Sequence, residues 1–183
     1  MDIAEVAQWY RNIIPAEIQL NAPVGNPQGF HIATAQLAEE TLAATLNFNA
    51  VDTGLVAGDK SVRSELFALA RAEMPTVASV VLAAADTFAQ NIGTLTAQPG
   101  TMLTDLAQRA SLPETISVRH GLCISPFVWQ GQVPQYTEKH QLTALLQVVM
   151  LTQEEYEYAT AYGVVELQKE MGKAQIDLNN WSR

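Results

Sequence analysis

The side chains best equipped for chemistry in this sequence are one thiol, Cys123, and three imidazoles, His31, His120 and His140. A thiolate with an imidazole base would form a nucleophilic pair, and a cysteine with histidines is a zinc-ligand vocabulary. His120 and Cys123 stand three residues apart, which on an extended segment turns them to opposite faces. A zinc site would also need a further ligand pair at a recognisable spacing. Gly121-Leu122-Cys123-Ile124 is apolar, a setting that raises a thiol's pKa and makes cysteine a small hydrophobe. A core cysteine is therefore the favoured reading, with a small enzyme using Cys123 and a histidine as the alternative.

Other catalytic signatures are missing. There is no Gly-x-Ser-x-Gly elbow, no Gly-x-Gly-x-x-Gly fingerprint and no Walker loop. Gly54, Gly58 and Asp59-Lys60 make one short glycine loop, a weak anion signal. Of the paired acids Glu39-Glu40 and Glu154-Glu155, the second follows Thr152 in the order of a helix capping box, where the helix dipole already favours negative charge. No catalytic residue, cofactor or metal is expected.

The elements that would position these residues alternate between helix and strand. Ile3, Val6, Ala7, Tyr10 and Ile14 form one apolar helical stripe closed by Pro15. A loop over 21–29 carries Pro23-Val24-Gly25-Asn26-Pro27. A short strand is expected over 30–37, then a turn at Glu39-Glu40. Period-two alternation predicts a strand with one buried face over 42–50. A further strand is expected over 62–70, with helix as its alternative because Ala and Glu are poor strand formers.

Pro75-Thr76 opens a helix running to about Asn91. The stretch 94–113 is ambiguous, with a turn at Gln98-Pro99-Gly100 and room for a short helix over 104–110. Strands follow at 117–127 and 142–151, the second apolar on both faces and so central in its sheet. A polar loop over 130–140 joins them. A long helix then buries Ala159, Gly163, Leu167 and Met171 and ends at Gly172, with Tyr156, Tyr158 and Tyr162 as half-buried helix residues. Trp129 and Tyr136 flank the loop and suit either a core or an interface. The fold class is mixed α/β, a central mostly antiparallel or mixed sheet packed by helices.

The 183 residues suit one domain over 1–183. Hydrophobic residues make up 48% and charged ones 16%, a globular composition. A single cysteine fits a reducing compartment. The acidic start Met1-Asp2-Ile3-Ala4-Glu5 is unlike a secretory leader, and no run reaches the roughly 20 apolar residues that span a bilayer. A cytoplasmic protein is expected. The net charge of −9 disfavours nucleic acid and anionic membranes as ligands and favours a basic protein partner. Binding residues concentrate on loops, which makes Asp52, Asp59, Tyr136 and Glu138 the candidate protein contacts.

The order of the elements carries a resemblance. A strand ends in Asp52-Thr53-Gly54, and a loop leads to Arg63-Ser64-Glu65-Leu66-Phe67. A helix with Val80-Val81-Leu82 and the Gln98-Pro99-Gly100 turn follow. Then come Leu122-Cys123-Ile124-Ser125-Pro126, the apolar Val148-Val149-Met150-Leu151 and the helix start Thr152-Gln153-Glu154-Glu155-Tyr156. Over about 30–171 this pattern resembles the suppressor-of-fused-like domain family, with the opening helix over about 2–14 as an accessory.

The resemblance implies a mixed α/β domain that binds proteins without catalysis. The animal member carries an added C-terminal region and restrains a transcription factor. Bacterial relatives are mostly stand-alone domains, often regarded as immunity proteins that neutralise a cognate toxin, and the present length is closer to theirs. No partner-binding residue of the animal protein has a counterpart that carries over. A structural subunit of a homo-oligomer is a further alternative.

Overall fold

A computed structural model of the chain describes residues 1–23 and 28–183, so residues 24–27 of the loop expected over 21–29 lie outside the described residues. Just before them, Ile18–Asn21 forms a strand, β1, which pairs antiparallel with β2, Ile32–Leu37. β2 pairs with β3, Glu40–Thr45. A tight hairpin joins β4, Val56–Ala57, to β5, Lys60–Ala70. Two residues, Gly58 and Asp59, make its loop, and Gly58 takes the left-handed φ of 63° that such a turn requires.

The remaining strands are β6 (Met102–Leu103), β7 (His120–Ile124), β8 (Gln135–Thr137) and β9 (Gln141–Leu151). The sheet runs β1-β2-β3-β5-β9-β7-β6, with β4 added to β5 and β8 added to β9. Among the described residues, β5 and β9 are the one parallel pair. The architecture is the expected mixed α/β one, a mixed sheet packed by helices.

The helices cover both faces. α1 (Ile3–Ile13) starts at a capping box between Asp2 and Glu5. α2 is Met74–Gln90, α3 is Leu106–Arg109, α4 is Gln153–Tyr162 and α5 is Val164–Lys173. Alternation along β5 and β9 divides the core. Leu66, Ala68, Leu146, Val148 and Met150 form one cluster with Val77, Val80, Val81 and Phe88 of α2. On the other face, Phe67 and Leu145 meet Val6, Ala7, Trp9 and Tyr10 of α1. Further along that face, Val149 and Leu151 meet Ala159 of α4 and Leu167 and Met171 of α5. The second, apolar-on-both-faces strand thus has packing on each side, and β5 is strand rather than helix.

Several expected boundaries differ. The strand expected over 42–50 stops at Thr45, and Phe48–Ala50 is a short 3-10 turn. The cause is the carboxylate of Glu65, which accepts the backbone N–H groups of Phe48 and Asn49 and withdraws them from any ladder. The residues of β3 are also buried on both faces rather than one.

Glu40 belongs to β3, and only Glu39 of that pair lies in the turn. The strand expected over 117–127 shortens to β7, and the polar loop over 130–140 contains β8. The ambiguous 94–113 stretch holds β6 and α3.

The long C-terminal helix is two helices. Gly163 has φ 91° and ψ 155°, outside any helical region, and ends α4 by donating its N–H to Ala159. Gly172 does not terminate α5, which continues to Lys173. Tyr162 is 66% exposed, so it is no core residue, whereas Tyr158 packs against the α4–α5 cluster. Behind the helices the chain returns to the sheet. Trp181 is buried, and Arg183 donates to Met150 and to the Glu155 carboxylate.

Candidate protein-binding surface

Parallel pairing of β5 and β9 places their first residues side by side. The segments that feed them, 51–59 and 130–140, therefore meet at one end of the sheet. Lys60 ties them together: its ammonium donates to the carbonyls of Glu138 at 2.7 Å and Lys139 at 2.9 Å. Ser61 adds its backbone N–H to the His140 carbonyl at 3.0 Å.

Three of the four expected contact residues are fixed around this junction, and the fourth projects from it. Asp52 accepts the Gly54 N–H at 2.9 Å and the Arg63 guanidinium at 2.5 Å. The Gly54 backbone bond, then Arg63, hold its carboxyl below the usual range. Glu138 receives the amino group of Met1 at 3.1 and 3.2 Å. Tyr136 lies opposite Thr143 across β8 and β9, its ring 6.2 Å from that of the buried Trp9. Asp59 sits exposed at the hairpin tip.

The junction was not deducible residue by residue. Lys60 was legible only as part of a short glycine loop and Arg63 as part of a strand, and the apolar stripe of the opening helix did not single out Trp9, which backs Tyr136. Trp129, partly buried, packs against the α1 cluster: its indole N–H donates to the Ile13 carbonyl at 3.1 Å and its ring meets Phe67 edge-on at 5.3 Å.

The nucleophilic set is dispersed. Cys123 is fully buried in the α2 cluster, and burial pushes its pKa up to about 12. His120, also buried, faces the opposite way: Nδ1 accepts the Asp105 N–H at 3.0 Å, Nε2 lies 2.8 Å from Gln153 Oε1, and the ring stacks on Tyr156. Both imidazole nitrogens are thus engaged away from the thiol. His31 is half-buried and His140 exposed in a loop. Among the described residues no three His, Cys, Asp or Glu side chains cluster as a metal site, and no helix is long and apolar enough to cross a membrane.

This mixed sheet, with its central parallel pair and helices on both faces, has a suppressor-of-fused-like fold by its similarity to solved structures. A suppressor-of-fused homologue from Neisseria gonorrhoeae matches with a TM-score of 0.74 at 16% identity, over 99% of this chain and 92% of that one. The Sufu–Fu complex structure matches at 0.68 and 12% identity, over 99% and 88%. Drosophila Suppressor of Fused matches at 0.62 and 13% identity, over 99% of this chain and 49% of its own. No protein-family model matches the chain, and none of the curated proteins does.

Proposed function

We propose that this chain is a non-enzymatic protein-binding module whose contact surface is the junction of the 51–59 and 130–140 segments. The observation that carries the reading is the convergence there of Asp52, Asp59, Tyr136 and Glu138, held by Lys60 and Arg63. A rigid scaffold presenting loops is the usual design of a recognition site, and a half-exposed tyrosine beside three carboxylates, two of them ion-paired within the chain, suits a basic partner. The structural likeness supports it, since one of the similar structures is a complex of Sufu with Fu.

The more specific reading is an immunity-type protein that occludes a basic toxin domain in the cytoplasm. The net charge of −9 favours such a partner. The test is affinity capture from the native host with the wild-type chain and with an Asp52→Lys, Asp59→Lys, Glu138→Lys triple variant. A stoichiometric basic protein retained by the wild type and lost by the variant supports the reading. Equal capture by both places the contact elsewhere, and capture of no toxin under toxin-expressing conditions removes the immunity reading.

A further inference from the structure

Away from that junction, α4, α5 and the turn after α5 line an open groove of about 230 Å3. Its existence follows from Gly163, which breaks the helix and lets the two segments fold against the sheet separately. Tyr158, Leu167 and Met171 form an apolar floor, and Glu154 and Glu170 stand at the rim. Glu155 also lines the groove but is already occupied, by Arg183 at 2.7 Å and the Thr152 N–H at 2.8 Å.

The rim acids differ from it. Glu154 meets no cation among the described residues, and hydrogen bonds from its own backbone and from Thr152 hold its carboxyl below the usual range. Glu170 has only Lys173, one turn away on the same helix at 2.6 Å, an exposed pair that is readily exchanged.

An apolar floor beneath one carboxylate without a cation, Glu154, and one in an exposed, exchangeable pair, Glu170, selects its occupant by chemistry. A purely apolar insert would strip water from the rim acids without replacing it. An anion would be repelled. A long side chain with methylenes below and a positive head above satisfies both parts. We propose that the α4–α5 groove seats a lysine or arginine side chain of a partner protein, its stem against Leu167 and Met171 and its head at Glu154 and Glu170. This rests on the protein-binding reading and gives that partner a second contact, on the helix pair.

The test titrates the whole chain, carrying 13C-labelled leucine and methionine methyls, with n-pentylammonium chloride, 1-pentanol and sodium pentanoate at one ionic strength. The expected result is saturable shifts of the Leu167 and Met171 methyls with pentylammonium, weaker with pentanol and absent with pentanoate. A Glu154→Gln, Glu170→Gln double variant should bind pentylammonium about fivefold more weakly. Both acids are on the exposed surface, and an unchanged unliganded spectrum certifies the fold. Equal shifts with pentanol, or no effect of the double variant, overturn the proposal. So does pentylammonium binding elsewhere, and a partner captured through the Asp59 end would then leave the protein-binding reading standing.

Discussion

The carboxylate of Glu65 accepts both the backbone N–H and the side-chain amide of Asn49, at 3.0 and 2.5 Å. It also accepts the Phe48 N–H at 3.2 Å and the Thr45 hydroxyl. These bonds lock the 3-10 turn onto β5, and the turn leads directly into the segment that carries Asp52. A glutamate far from solvent thereby sets where a candidate contact loop begins.

Burial raises the Glu65 pKa, and its hydrogen-bond donors, Thr45 and Asn49 first, oppose the rise without cancelling it. The folded state then binds this proton more tightly than the unfolded state. Its stabilising contribution is complete below the unfolded glutamate range and is lost as pH rises through the raised value. Urea denaturation from the ordinary glutamate range upward should show wild-type stability falling relative to Glu65→Gln, which cannot titrate. The variant should start lower by about 1–3 kcal/mol, since an amide nitrogen cannot accept from every donor the carboxylate satisfies. Parallel pH profiles for the two proteins would mean that folding does not change the proton affinity of Glu65.

Cys123 offers a separate test of the enzyme alternative. With its pKa pushed up to about 12 and its side chain fully buried, the thiol is neither ionised nor accessible at neutral pH. Native protein should react with a thiol-exchange reagent only at the rate of unfolding, and fully at once in denaturant. Rapid stoichiometric labelling of the folded chain would contradict the burial and revive a cysteine nucleophile.

Gly163→Ala separates the broken helix from a continuous one. Alanine is the better helix former, so a helix running through 152–171 would gain stability from the change. In the observed structure the φ of 91° penalises any side chain, although the space beside the Cα is open. The expected loss is about 1–3 kcal/mol by thermal or urea unfolding. The same variant should abolish pentylammonium shifts if it forces α4 and α5 into line.

What could be read from the residues was the part governed by local period. The two faces of β5, Leu66 and Ala68 against Phe67 and Leu69, are those that period-two alternation gives once the segment is a strand, and the double-sided burial of β9 follows from its unbroken apolar run. The overrun past Thr45 arose because Phe48 continued the same alternation, while the group that ends the strand, Glu65, lies 17 residues further on. β8 has three exposed residues and no apolar alternation. It is a strand only because its partner on β9 holds it, as in the 3.0 Å bond from Leu145 to the Pro134 carbonyl. The loop residues Asp52, Asp59 and Glu138 were identifiable as loops. Their meeting depends on the parallel β5–β9 pairing, a contact between distant segments that no local pattern encodes.

Gln147 marks the seam between the two cores on the second face of the sheet. It is 1% exposed on β9 between Leu145, which packs with α1, and Val149, which packs with α4 and α5. Across the sheet it is paired with Phe67 on one side and Ile124 on the other. Its Oε1 is buried and meets no hydrogen-bond donor among the described residues. An unsatisfied buried acceptor costs more than the apolar group that could replace it, and methionine has nearly the same shape and length. Gln147→Met should therefore stabilise the fold by about 1 kcal/mol, seen as a higher urea midpoint with an unchanged slope. A lower midpoint would show that the amide makes a bond worth keeping.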